Sequence, residues 1–251
     1  MTETSKFGFA HLLAQTDAIG IAVLVILLVM SIASWYLIIL KSYRNAQIRA
    51  RARDFLERFW SAPSMDAVAA QAADSANEPF GRLAAQGMEA SRHWSRSPAA
   101  GLSHAGGQDE FLTRAIRRAI TRETAALESG LTVLASVGST APFVGLFGTV
   151  WGIYHALLGI GVSGNASLDT VAGPVGEALI MTALGLAVAI PAVLAYNAFV
   201  RGNRLMLAEL DGFAHDLHAF LLTGAKLNSG AAAPQVSRPA STRPAARPGA
   251  A

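Results

Sequence analysis

The sequence predicts an all-α integral membrane protein with three transmembrane helices, and three observations carry that prediction. Hydrophobic residues make up 52% of the 251 residues and charged ones only 15%, whereas a soluble domain carries about a quarter charged. Charge is cleared from two stretches: residues 18–40 hold none, and residues 129–200 hold only Asp169 and Glu177, without a Lys or Arg. The apolar runs that remain each exceed the roughly 20 helical residues needed to cross a bilayer core.

The elements follow in order. Residues 1–17 form a short outer segment carrying one basic and two acidic side chains. Residues 18–40 form the first span, about 35 Å of helix. Asp17 stands before it, and Trp35, Tyr36, Lys41 and Tyr43 anchor its far end. A cleaved signal peptide has a basic start and a shorter apolar core, so this is an uncleaved signal anchor. Residues 41–128 form a helical loop. RNAQIRARARDFLERFW continues the first span, EPFGRLAAQGMEASRHW forms a middle helix, SRSPAAGLSHAGG is loop, and QDEFLTRAIRRAITRETAALESG runs into the second span. Phe111, Leu112, Ala115, Ile116, Ala119 and Ile120 lie on one helical stripe, which predicts a packing face between helices. The second span is residues 129–161 and the third is residues 171–200. The polar turn 162–170 makes them an antiparallel hairpin. Residues 201–227 extend the third span as helix, and residues 228–251, dominated by Pro, Ala, Ser and Arg, form a disordered tail.

Basic residues orient the chain. Lys41, Arg44, Arg49, Arg51 and Arg53 follow the first span, Arg114, Arg117, Arg118 and Arg122 precede the second, and Arg201 and Arg204 follow the third. The three spans agree on an outer N-terminus, with the long loop and the C-terminus in the cytoplasm.

Several function classes are excluded. The chain has no cysteine, so it offers no disulfide framework, thiolate metal site or Cys nucleophile. His215 and His218, three residues apart, lack supporting ligands for a metal. GxxxxGK[ST], HExxH, GxSxG and GxGxxG are all missing, which argues against ATP as energy source, against an enzyme and against a bound cofactor. The tail accounts for the net charge of +3, and no basic face interleaved with aromatics suggests nucleic acid.

Polar residues retained inside the spans need a reason. Glu177 is the sharpest: an intramembrane carboxylate faces a bundle interior or a water-filled cavity, where it can exchange a proton. Its position leaves two readings open, a proton or cation site, or a helix cap near the outer interface. Thr149 and Thr182 are hydroxyls in the second and third spans, and such a Thr most often bonds its own i−4 carbonyl. Thr182 lies about 140° around the helix from Glu177, so a common polar wall would have to be wide. His155, without a partner at ligand spacing, reads as a packed or interfacial histidine. Small residues recur every three or four positions: Gly138, Ala141, Gly145, Gly148, Gly152, Ala156 and Gly159 on the second span, and Ala178, Thr182, Gly185, Ala189 and Ala192 on the third. Such faces bring helix backbones close together. Two of them on one hairpin predict an oligomeric bundle beside the simpler compact monomer. Pro142 and Pro191 sit within these packing faces and kink their helices.

GSTAPFVGLFGTVWGI (residues 138–153) and GPVGEALIMTALGLAVAIPAVLAYN (residues 173–197) together resemble the signature hairpin of the MotA/TolQ/ExbB proton-channel family, and within it the ExbB branch. The resemblance implies that Glu177, in EAL, lies in the channel interior and that Thr149, in FGTVWG, and Thr182 line the same path. It implies a homopentamer in the bacterial inner membrane, in contact with lipid, around an ExbD-like single-span partner whose aspartate is the main proton carrier. Proton flow then drives a TonB-like protein and outer-membrane transport. The sequence departs mildly: Met181 fills a usually small position, and GPVGEAL replaces the commoner GIAEAL. A TolQ-like envelope subunit is the nearest alternative, and a non-conducting membrane scaffold the alternative from another class.

Overall fold

The computed structural model describes residues 17–62, 65–75, 77–96, 107–164 and 168–224. Residues 1–16, most of the expected loop before residue 107, the tip of the hairpin turn and the predicted disordered tail lie outside the described residues. Among the described residues every regular element is an α-helix: α1 (Ala18–Ser61), α2 (Met65–Asp74), α3 (Pro79–Arg96), α4 (Gly107–Glu128), α5 (Leu131–Ser163) and α6 (Leu168–Thr223). Three stretches are long and apolar enough to cross a membrane, and they fall in α1, α5 and α6.

Local chemistry sets the helix ends. Asp17 caps α1 by accepting the Gly20 amide at 2.9 Å, which satisfies one of the free N–H groups of the first turn. The stretch 108–130, expected to run unbroken into the second span, is instead interrupted. Gly130 has φ +77°, a left-handed conformation suited to glycine, so α4 and α5 are separate helices. MDAVAAQAAD forms the separate helix α2.

Two apolar cores result. In the half rich in charge, Phe55 and Phe59 of α1, Phe80 and Leu83 of α3, Leu112 of α4 and Leu210, Phe213 and Leu217 of α6 are buried together. Phe213 meets Phe55 and Phe59 edge-on, with ring centroids 6.0 and 5.1 Å away. Leu112, Ile116 and Ala119 of the predicted stripe are buried in this core, so the stripe packs against helices. In the spans, Val23 and Leu27 of α1 pack with Leu134, Val137 and Ala141 of α5 and Ala189 and Ala192 of α6. The opposite faces stay uncovered: Ile32, Phe143, Val150, Leu179 and Leu194 are exposed. Apolar surface this continuous needs lipid or another chain against it.

Polar ties fix the two halves together. The Leu127 carbonyl, near the end of α4, accepts from Lys41 Nζ at 2.9 Å and from Asn203 Nδ2 at 2.8 Å. One carbonyl thus binds α1, α4 and α6 where the charged half meets the spans. Deeper in the charged half, Arg82 clamps the buried Glu123 with two parallel bonds, Nε to Oε1 at 2.6 Å and Nη2 to Oε2 at 2.5 Å. These bonds to Glu123 raise the affinity of the Arg82 guanidinium for its proton.

Candidate functional site

The candidate site grows from the crossing of α5 and α6. Gly145 and Gly185 face each other so closely that a Cβ built on Gly145 would stand 2.6 Å from the Met181 carbonyl oxygen and one on Gly185 2.7 Å from that of Ala141. Further along, a Cβ on Gly148 would stand 3.0 Å from Val23 of α1 and 3.1 Å from Met181, and one on Gly152 would lie 3.0 Å from the Ala178 methyl. Gly159, Gly173 and Gly176 have nothing within 4 Å of such a Cβ. The hairpin is therefore tight at its middle and opens toward its turn, because the small residues that bring the backbones together run out of partners there. Pro142 and Pro191 sit inside continuous helices and are partly exposed.

Thr149 and Thr182 meet at the tight part. Thr149 Oγ1 lies 3.2 Å from the Gly145 carbonyl, its own i−4 acceptor, and 3.0 Å from the Ala178 carbonyl on α6. It also shares a short hydrogen bond with the Thr182 hydroxyl. Each hydroxyl carries one proton, so Thr182 donates to Thr149 whenever Thr149 donates to a carbonyl. The back-bond expected for a membrane threonine is present, together with a cross-helix link that sequence spacing did not reveal.

Beyond the threonines, the splayed helices and the start of α1 enclose a groove of ≈ 430 Å³. Glu177 and Pro174 of α6, Gly148 and Gly152 of α5, and Asp17 and Gly20 of α1 are among its lining residues. Glu177 is partly buried there, and among the described residues no group hydrogen-bonds or ion-pairs with its carboxylate. Thr149 and Thr182 do not line this groove; they close the hairpin beside it. The three polar positions singled out by sequence are thus neighbours along one hairpin, divided between a groove and a helix contact.

The far wall of the groove holds groups that sequence reasoning treated separately. Asp17 Oδ2 accepts the Trp151 indole N–H at 2.7 Å and lies 3.6 Å from His155 Nε2. The His155 ring packs on Trp151, with centroids 4.9 Å apart. The bond from Trp151, then that from the Gly20 amide, holds the Asp17 carboxyl below the usual carboxylate range. Among the described residues no Lys or Arg lines the groove, and no cluster of three or more potential metal ligands occurs among them. His218 instead pairs with Asp109 at 3.1 Å and contacts Thr113.

Comparison with known proteins gives this geometry a family. The chain is 47% identical to a biopolymer transport protein ExbB of Xanthomonas campestris pv. campestris, over 89% of this chain and 92% of that protein. It is 45% identical to the ExbB of Neisseria meningitidis, over 82% and 93% of the two chains. A Tol-Pal system protein TolQ of Pseudomonas aeruginosa is 35% identical over 84% and 90%. The profile of one family covers residues 75–211, from α3 through both helices of the groove. The chain therefore belongs to the MotA/TolQ/ExbB proton channel family.

Proposed function

We propose that this protein is an ExbB-like subunit of a proton-driven inner-membrane motor, with Glu177 on the proton route. The observation that carries this reading is the setting of Glu177: a carboxylate on a membrane-length helix, opening into a groove, with neither a partner nor a groove-lining Lys or Arg among the described residues. A carboxylate so placed takes up and releases a proton more readily than one locked in an ion pair. Its helix carries its proton site within membrane-spanning length of the potential, where each charge moved gains about 2.3 kcal/mol per 100 mV.

In this reading the Asp17 end faces the outside and the basic half faces the cytoplasm, following the Lys and Arg distribution. Several copies, a pentamer by resemblance, enclose the single span of an ExbD-like partner whose aspartate carries protons. The motion is passed to a TonB-like protein that powers transport across the outer membrane. The uncovered apolar faces of α5 and α6 supply area for neighbouring copies and lipid. Thr149 and Thr182 hold the hairpin closed beside Glu177, and Gly145, Gly148, Gly152, Ala178 and Gly185 permit the contact. Identity of 47% to ExbB against 35% to TolQ favours transport over the Tol-Pal role.

The test is proton flux in liposomes carrying the chain with its partner. Glu177→Ala is expected to abolish partner-dependent flux while leaving oligomer mass unchanged. Full flux in that variant overturns the assignment of Glu177, and the absence of any flux in the native complex makes the chain a scaffold.

A further inference from the structure

The groove holds a second carboxylate and an imidazole to which the proposed function gives no role. Asp17 uses both oxygens: Oδ1 caps α1, and Oδ2 receives the Trp151 N–H at 2.7 Å with His155 Nε2 3.6 Å away. The imidazole thus packs on Trp151 on one side and, on the other, has a carboxylate within ion-pairing distance. The His155 side chain is 48% exposed, and it lines the same groove as Glu177.

Helix register fixes their relative heights. Gly152 meets Ala178, so His155, three residues further along α5, stands opposite Val175 of the antiparallel α6. That is two residues, about 3 Å of rise, beyond Glu177 toward the hairpin turn. The groove between them has room for a chain of waters and offers polar partners on both sides.

We propose that His155, beside the Asp17 carboxylate, is the proton-exchange group at the outer mouth of this groove and delivers protons to Glu177 through groove water. The inference rests on the proton-channel reading above. The described titratable groups around the imidazole are Asp17 from α1, Glu177 from α6 and Tyr154 beside it on α5. In the step, the imidazole nitrogen takes a proton from outer water or buffer. The resulting imidazolium is stabilised by the Asp17 carboxylate and passes a proton to groove water, which protonates Glu177. The imidazole is then neutral again, and no electrons are transferred. Imidazole suits this task because its two ring nitrogens let it accept a proton at one and give a proton up at the other. Asp17 is the positioning residue, and the Trp151 bond that holds its carboxyl low keeps it charged for that purpose.

Chemical rescue separates a relay from simple packing. The complex of this chain with its single-span partner is reconstituted in liposomes, and flux is measured at low buffer concentration with and without added imidazole in the outer solution. Glu177→Ala vesicles supply the background leak. His155→Ala is expected to lower flux at least about tenfold and to regain most of it with imidazole. His155→Gln, which keeps a polar side chain, is expected to behave alike and tests the idea if the alanine variant fails to assemble. Asp17→Asn keeps one acceptor oxygen, enough for the helix cap, but removes the charge and puts an amide N–H2 where Oδ2 accepts from Trp151. It is expected to slow the native channel several-fold and to change nothing further on the His155→Gln background. Undiminished flux in His155→Gln, or a loss that imidazole does not restore in an assembled variant, overturns the relay. Either result leaves Glu177 as the channel carboxylate, whereas full flux in Glu177→Ala overturns the assignment of Glu177, and no flux in the native complex overturns the channel reading itself.

Discussion

Replacing Gly145 with alanine tests whether the close crossing of α5 and α6 holds the site together. The added methyl would stand 2.6 Å from the Met181 carbonyl oxygen and 3.0 Å from the Gly185 Cα. Both obstacles are backbone, so no side chain can rotate away. Reaching an ordinary 3.4 Å contact requires the helices to part by about 0.8 Å. One turn away, the same opening stretches the 3.0 Å bond from Thr149 Oγ1 to the Ala178 carbonyl to about 3.8 Å, beyond hydrogen-bonding reach. Overpacking costs about 1–3 kcal/mol, and a lost interhelical bond in a membrane adds roughly 0.6 kcal/mol. A total near 2–3 kcal/mol follows, read as a lower midpoint in reversible detergent-induced unfolding, accompanied by loss of proton flux. Gly159→Ala is the control: nothing lies within 4 Å of its Cβ, and alanine favours helix by about 1 kcal/mol. If Gly145→Ala unfolds no earlier than Gly159→Ala, the crossing does not carry the load assigned to it.

Four further outcomes are expected. Arg82→Ala strands the buried Glu123 carboxylate and should cost about 3 kcal/mol in denaturant unfolding, much of it recovered in Arg82→Met with Glu123→Leu. Asn203→Ala removes one of two donors to the Leu127 carbonyl and should cost about 1 kcal/mol alone, with a larger penalty when Lys41→Met removes the other; strict additivity would refute a shared role. The Asp17 carboxyl is held low in the folded protein, so its stabilising effect is present above the ordinary carboxylate range and fades as pH falls through the folded value. Trp151 emission, taken as the difference from Trp151→Phe, should report that acid transition and lose it in Asp17→Asn. Thr149→Val together with Thr182→Val should lower the unfolding midpoint as well as flux, because the hydroxyls bridge two helices.

The spans were legible because lipid imposes one requirement on every residue of a run, and clearing charge from 23 consecutive positions leaves an unmistakable trace. Glu177 and the two threonines stood out for the same reason, as exceptions to that requirement. Contacts between distant segments left no such trace. Arg82 and Glu123 are 41 residues apart, and each alone is an ordinary charge on a helix facing other charges. Asp17 read as a flanking residue and His155 as a packed or interfacial one; only folding brings Asp17 against both His155 and Trp151, the latter 134 positions away. Gly130 was a missed signal rather than a hidden one, since glycine after a helix ending in Glu128 is a familiar stop. The continuous apolar pattern beyond it masked the break. The separation of Glu177 from Thr182 around α6 was readable from helical geometry, whereas the hydroxyl bridge to Thr149 required the register of two helices.

The helix α6 runs without interruption for 56 residues, from beside the groove to the aromatic core around Phe213. That length makes it a lever. Thr223 lies 38 residues past Gly185, about 57 Å along the axis, so a tilt of only ~3° at the glycine contact sweeps the far end through about 3 Å. A proton bound or lost near Glu177 needs to change the local angle very little for the opposite end of the molecule to register it as a displacement the size of a side chain.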